Sequence, residues 1–382
     1  MEKIRVGIIF GGKSGEHEVS IVSAMSVQRA LDPSKYEVTM IGIDKTGRWT
    51  LPDKASLLEH QNSPRALDLS KEFHPVSFLP FESEKQLLPL SSTYQQLTDQ
   101  QIKVDGRKTF DVIVPILHGT YGEDGTIQGL FELANIPYVG SGVLGSSLGM
   151  DKDASKRLFQ AAGIPVVPWR TVRKHEFKKH SKEILDELEK EFSYPYFVKP
   201  ANMGSSVGVH KVKSRADAEE KLKDAFCYDL KVLVEQAVAA RELEISILGN
   251  HDPKASIVGE IIPTHEFYSY EAKYLDENGA KLKIPAEGLT PQQVTQLQNF
   301  AVKGFQAIEC RGLARVDFFL DKNTNQLFLN EINTIPGFTS ISMYPKLWAA
   351  SGIPYGQLLD ELIRLAIEFH QEKNELKTSF ES

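Results

Sequence analysis

Apolar positions in this chain follow two periods, and their alternation predicts a mixed α/β and α+β architecture. Residues 4–10 (IRVGIIF) form an apolar run of the kind buried on both faces of a parallel sheet. A turn at 11–18 leads into a helix through about residue 31, and 37–43 supplies another strand, so the chain opens as a βαβ unit. From 44 to 108 the sequence is polar and weakly periodic, and it predicts an insertion with at most modest structure. Residues 110–117 are the next buried strand, followed by the glycine-rich HGTYGEDGT, a helix near 127–134 and a closing segment at 136–140. A domain boundary near Gly140 follows.

A second unit starts with a helix at 152–162, stopped by Gly163 with Pro165 beyond it. Strand-like and helix-like segments then alternate at 166–172, 181–191, 196–199, 207–212, 216–225 and 231–235. Residues 242–249 and 255–262 read as an antiparallel pair. The polar-aromatic stretch at 263–285 is longer than a connection in a compact domain needs, which marks it as functional or disordered. A helix at 291–308, strands at 313–320 and 327–332 joined by the polar turn 321–326, and an amphipathic helix at 355–370 complete the chain.

The hairpin carries the chemistry. Alternate residues of a strand share a face, which groups Arg315 with Asp317 and Glu331 with Asn333. A turn centred on Thr324 would set Asp317 opposite Glu331 and Arg315 opposite Asn333. Two carboxylates, an amide oxygen and a guanidinium then meet on one patch, a donor set that suits Mg²⁺ with substrate phosphates. The plainer reading is a solvated polar face. The loop that follows, Thr334-Ile335-Pro336-Gly337-Phe338, weighs against it, because backbone N–H groups there can face a ligand.

Composition narrows the field. The length of 382 residues allows two to three domains. A net charge of −7 leaves no footprint for nucleic acid or an anionic membrane. Cys227 and Cys310 are too few for a disulfide framework and read as packing residues. No signal segment opens the chain and no apolar run approaches the ~20 residues that span a bilayer, so the cytoplasm is the expected address.

Other stretches each allow two readings. Residues 7–14 (GIIFGGKS) match the letters of a phosphate loop, but Ile8-Ile9-Phe10 continue the strand past Gly7, where that loop needs its first glycine at the strand end. A βα turn that places Glu16 at the carboxyl edge of a parallel sheet fits better. Glu16 there would pair with an ammonium, or simply favour a helix N-terminus. Asn202–Gly208 follows Lys199 and suits phosphate, with bare N–H groups, hydroxyls and a lysine; a flexible hairpin tip is the alternative. Lys152 is a second phosphate cation or a surface lysine. Glu235 and Glu242 would meet an adenine edge and ribose hydroxyls, or form a charged connection between domains.

Seven stretches occur in one order: GGKSGEHEVS, HGTYGEDGTIQG, GMDKDASK, VKPANMGSSVGV, EFYSYEAKY, LARVDF and NEINTIPGFT. Together they resemble the D-alanine–D-alanine ligases of the ATP-grasp superfamily across nearly the whole chain. That resemblance implies an N-terminal parallel-sheet α/β domain (1–140), then a two-part ATP-grasp fold. Its parts would be a central subdomain (141–234) and a C-terminal subdomain (235–382) with the metal site and substrate loop. It implies ATP-dependent joining of two D-alanine molecules through an acyl phosphate, releasing ADP and phosphate, for peptidoglycan precursor synthesis. ATP and Mg²⁺ (two ions, with Mn²⁺ able to substitute) are the implied cofactors, and a homodimer the implied assembly.

By the same resemblance, Lys152, Lys199, Lys273, Ser205 and Ser206 belong to the phosphate site, Glu235 to the adenine amino group and Glu242 to the ribose. Asp317, Glu331 and Asn333 match metal ligands, with Glu331 bridging two ions. Arg315 and the Gly337 N–H match an oxyanion pair, and Ser342 a contact to the second substrate's carboxylate. Glu16 matches the residue holding the first substrate's ammonium, in a hydrogen-bonded triad with Ser205 and Tyr274. Relatives that make D-alanine–D-lactate carry histidine or phenylalanine where this chain has Tyr274, which favours an amine nucleophile. Phe338, where many relatives have methionine, is a volume-similar change. A D-alanine–D-lactate or other carboxylate–amine ligase, and a nucleotide-binding regulator without turnover, are the alternatives. The intact set of Arg315, Asp317, Glu331, Asn333, Glu16 and Ser205 speaks against the regulator.

Overall fold

The computed structural model of this protein describes residues 2–60, 63–70, 74–78, 86–89, 108–263, 280–339 and 341–377. Its first sheet is built around β1 (Ile4–Gly11), which pairs in parallel with β2 (Tyr36–Ile43) and β7 (Val112–Ile116). Helix α1 (His17–Ala30) makes the crossover. β1 continues to Gly11, so Gly7 lies mid-strand and the phosphate-loop letters form no such loop.

The described parts of 44–108, where the sequence predicts an insertion with at most modest structure, contribute short strands to this sheet. β3 (Trp49–Leu51), β4 (His74–Phe78), β5 (Gln86–Pro89) and β6 (Lys108–Thr109) add antiparallel to the edge at β2, giving a seven-stranded sheet, and α2 (Lys54–Glu59) lies between β3 and β4. Strands of two to five residues are too short for alternation to stand out in sequence. Helices α3 (Thr126–Leu133) and α4 (Val143–Met150) follow β7. The second lacks charged residues, so it has no polar stripe to betray it.

After α5 (Lys152–Ala161) comes a four-stranded antiparallel sheet in the order β10 (His210–Val212), β9 (Tyr196–Pro200), β11 (Lys231–Gln236), β8 (Trp169–Arg173). Helices α6 (Lys174–Glu191) and α7 (Arg215–Ala225) cover one face, burying Phe177, Leu188 and Leu222 against Tyr196, Val198 and Val234. α6 starts earlier than its periodicity predicts, because it kinks at His180.

The third sheet contains β12 (Ala240–Gly249), β13 (Lys254–Ala255), β14 (Gly259–Pro263), β15 (Ala280–Lys283), β16 (Gly312–Asp321) and β17 (Leu327–Asn333). The predicted antiparallel pair is present as β12 with β13 and β14. Along β16, Ala314, Val316, Phe318 and Leu320 are buried against α8 (Pro291–Ala307), through Leu297, Ala301 and Phe305. Each such large side chain contributes about 1.5–3 kcal/mol on burial, which settles which face is core. Arg315, Asp317 and Phe319 are left on the other face, towards the second sheet.

Two final helices, α9 (Met343–Ala350) and α10 (Tyr355–Asn374), return to the first sheet. Leu358, Leu359, Leu362 and Ile363 of α10 share one core with Val27, Val114, Leu313 and Phe338. The loop after β17 is thereby clamped between the beginning and the end of the chain. Among the described residues, no helix is long and apolar enough to cross a membrane.

Candidate active site

The hairpin pairs as the sequence predicts: Arg315 lies opposite Asn333 and Asp317 opposite Glu331. The route differs, however. Phe318 pairs with Leu329, so Asn330 is an extra residue and the ladder carries a β-bulge beside Asp317. Without it, Glu331 would share the buried face of Leu327 and Leu329. The bulge turns Glu331 to the polar face.

Arg315 donates to Asp317 through Nε at 2.7 Å and Nη2 at 2.8 Å. Its Nε also lies 3.0 Å from Glu244 Oε2, and Asn333 Nδ2 donates to Asp317 at 3.0 Å. Burial opposes the charge on Arg315, but Asp317 and Glu244 outweigh it and keep the guanidinium protonated. Glu244 shares the polar face of β12 with Glu242, which stands opposite Phe319.

From the other side, Lys152 begins α5, capped by Asp151. Its Nζ donates to the Met203 carbonyl at 2.8 Å and lies 3.5 Å from Glu331 Oε2. Lys199 Nζ meets Glu235 Oε1 at 2.5 Å and sits 6.0 Å from the ring centroids of Phe197 and Phe319, which belong to different sheets. Glu235 is buried, which would raise its pKa, yet Lys156 and Lys199 hold it down at about 2. Burial pulls Lys156 below the ordinary lysine range while its contact with Glu235 opposes this.

The loop joining β9 to β10 bends through Ser205 and Ser206, both at positive φ (50° and 60°). Ser205 Oγ donates to Glu16, 189 residues away in sequence. Glu16 is itself buried, at the start of α1. A Cβ on Gly119 would stand 2.7 Å from Glu16 Oε2, and one on Gly204 2.9 Å, so glycines of two loops, one after β7 and one after β9, make room for this one carboxylate. A Cβ on Gly337 would lie 2.9 Å from Ser342 Oγ, which accepts from Thr339 N at 3.0 Å. Lys273 and Tyr274 lie outside the described residues.

The donor set can be checked against the metal it was expected to hold. Among the described residues, no group of three or more His, Cys, Asp or Glu side chains is arranged for a metal. The set has two carboxylates and an amide oxygen instead, which is how Mg²⁺ is held when substrate phosphates supply further oxygens. It fits that ion chemically.

Known proteins agree along the full length. Residues 5–141 match the family description "D-ala D-ala ligase N-terminus", and 158–364 match "D-ala D-ala ligase C-terminus". A D-alanine–D-alanine ligase of Shouchella clausii is 47% identical over 382 residues, covering 99% of both chains. The chain belongs to the D-alanine–D-alanine ligase family. The D-alanine–D-alanine ligase A of Escherichia coli is 45% identical, covering 99% of this chain and all of its own. A solved ligase from Coxiella burnetii superposes with a TM-score of 0.83 at 38% identity, covering 98% of this chain and 97% of its own. The VanG D-Ala:D-Ser ligase of Enterococcus faecalis does so at 0.81 and 34%, covering 96% and 100%. These likenesses carry the ATP-grasp fold with them.

In this family member, sequence reasoning missed several residues of the site. His118 and Glu123 sit in the quoted HGTYGEDGT. His118 is buried, and burial lowers its pKa, so the ring is neutral; Nδ1–H donates to the Ile335 carbonyl at 2.9 Å. Glu123 accepts from Gly119 N and Ile335 N, each at 2.9 Å. Ser23 accepts from Phe338 N at 3.4 Å, and Tyr355 OH donates to the Phe338 carbonyl at 2.6 Å. The Gly337 amide is thus held by pinned neighbours on both sides. The glycine pattern of the motif pointed to a loop, but nothing in it said that the loop reaches a segment more than 200 residues away.

Glu123 gives a pH test. Burial first, then the Glu16 charge, pushes its carboxyl from the ordinary 4.5 up to about 8. A raised carboxyl favours the folded state fully below 4.5, and that stabilisation is lost as pH climbs to about 8. The Tm of wild type should therefore fall relative to Glu123→Gln between these limits. A constant difference in thermal melts across that range would contradict the assignment.

Proposed function

We propose that this chain joins two D-alanine molecules at the expense of ATP, passing through an acyl phosphate. The observation that carries the reading is the hydrogen bond from Ser205 to Glu16. It ties a phosphate-type loop to a buried acid suited to an ammonium, and a protein that only bound nucleotide would have no use for that link.

In this reading the base lies near Phe197 and Phe319, with Glu235 accepting from its amino group and Glu242 from the ribose. Lys152, Lys199 and Lys273 and the Ser205–Ser206 turn hold the phosphates. Asp317, Glu331 and Asn333 would hold Mg²⁺ or Mn²⁺, which would offset negative charge on the phosphoryl oxygens. Glu16 fixes the first D-alanine by its ammonium, so that its carboxylate oxygen attacks the γ-phosphorus and ADP leaves. The amine of the second D-alanine, oriented by Ser342 at its carboxylate, then attacks the acyl carbon. Arg315 and the Gly337 N–H stabilise the oxyanion until the C–O bond to phosphate breaks and the peptide bond is complete. By the family resemblance, Tyr274 would join Ser205 and Glu16 in keeping water from the acyl phosphate.

We place the protein in the cytoplasm, where ATP is supplied, as a homodimer. Leu133, Val143 and Leu144 of α3 and α4 are large apolar side chains left exposed, which a second copy of the chain would cover. Sedimentation of the purified chain gives the mass that decides it.

The direct test is phosphate release from ATP and Mg²⁺ with D-alanine, with L-alanine, and with D-alanine plus D-lactate or D-serine. The last arm matters because a D-Ala:D-Ser ligase shares this fold. No release above background with D-alanine would sink the reading. Glu16→Gln should raise the KM for the first D-alanine by about a hundredfold and the ATP KM by less than about threefold, the loss expected of a buried charged hydrogen bond. If the ATP KM moved most, Glu16 would not hold the ammonium.

A further inference from the structure

Among the described residues Glu235 has two ammonium partners, and they differ in depth. Lys199 Nζ meets Oε1 at 2.5 Å and Lys156 Nζ meets Oε2 at 2.7 Å. Lys199 stands beside the glycine–serine loop, between two aromatic rings, with part of its side chain open to solvent. Lys156 lies one turn beyond Lys152 on the same face of α5, but its side chain is 2% exposed and its ammonium is 5.8 Å from the centroid of Trp169. It is too deeply enclosed to touch phosphate.

We infer that Lys156 is a positioning residue for the nucleotide base. It holds the Glu235 carboxylate ionised and fixed through Oε2 when Lys199 turns to phosphate, and so selects a base with an exocyclic amine over one with a carbonyl. This rests on the proposal that Glu235 faces the base. An ionised carboxylate only accepts hydrogen bonds, whereas a protonated one also donates and tolerates a carbonyl. A buried carboxylate left without a cation takes up a proton. With Lys156 in place, Glu235 stays an acceptor even after Lys199 has moved. Lys152 and Lys156 thus share one helix face but serve opposite ends of the nucleotide.

The experiment compares kcat/KM for ATP and for ITP, whose base carries a carbonyl at that position, using the full chain with saturating D-alanine and Mg²⁺. Lys156→Met should lower the ATP-to-ITP preference about tenfold, mainly through the ATP KM, the range expected for one charge-assisted hydrogen bond. Glu235→Gln should do the same, and the double variant should fall no further than Glu235→Gln alone, because Lys156 acts only through Glu235. A wild-type preference in Lys156→Met, with Glu235→Gln lowered, overturns the inference while leaving Glu235 at the base. Additive losses in the double variant also overturn it, since they mean an independent structural role. If both single variants keep the wild-type preference, the placement of Glu235 is wrong and the inference falls with it. Should Lys156→Met not fold, Lys156→Gln, which removes the charge but keeps a polar end, supplies the comparison: a lowered ATP-to-ITP preference supports the role, and a wild-type preference refutes it.

Discussion

Replacing Glu331 by glutamine should cut kcat by about a hundredfold or more, because even partners one shell beyond a metal are worth ten- to a hundredfold and the proposed function makes Glu331 a direct ligand. The substitution keeps the side chain's size and one acceptor oxygen while removing its charge. Folding should barely notice. Glu331 is 28% exposed and its cationic neighbour Lys152 stands 3.5 Å away, a contact of the kind that contributes little to stability. The loss should therefore appear in turnover and in calorimetric titration of Mg²⁺ with ADP, with Tm almost unchanged. A wild-type kcat in this variant would show that the opposed carboxylates are only a polar face.

That expectation depends on a pairing the sequence displayed and a mechanism it concealed. Alternation placed Arg315, Asp317, Glu331 and Asn333 correctly because four apolar residues of β16 fix its buried face. On β17 strict alternation would have buried Glu331 with Leu327 and Leu329, and only the extra residue Asn330 prevents it. A bulge has no strong sequence mark. Glu244 was within reach of the same logic, being two residues past Glu242 and therefore on its face. Lys156, four residues past Lys152, was likewise readable as a neighbour on one helix face. What separates Lys156 from Lys152 is depth, which the tertiary packing of Trp169 and Glu235 decides. His118 and Glu123 were invisible as site residues for another reason: their partner, Ile335, is distant in sequence. The first sheet's edge strands were missed because each is too short to carry a period.

Substituting lysine for Arg315 should lower kcat by about 10²–10³ while the KM values for ATP and D-alanine move less than about tenfold, the size of loss seen when one oxyanion donor is removed. Lysine keeps the positive charge, so any effect comes from geometry. The guanidinium presents a planar fork, and here that fork is fully used. Nε and Nη2 clasp Asp317 at 2.7 and 2.8 Å, and Nε is also within 3.0 Å of the buried Glu244. An ammonium on a flexible stem can follow only one of these acids. If it stays with Glu244, Asp317 loses the guanidinium that clasps it; if it follows Asp317, the buried Glu244 loses its 3.0 Å contact with that group. Either choice moves the charge away from the position that, in the proposed mechanism, the Gly337 amide shares with Arg315 to meet the oxyanion. Circular dichroism and ADP binding should show the variant folded and able to bind nucleotide, so that the loss is assigned to the chemical step. A kcat within about threefold of wild type would mean that charge alone suffices at position 315, and that the fork serves only to hold Asp317 and Glu244 in place.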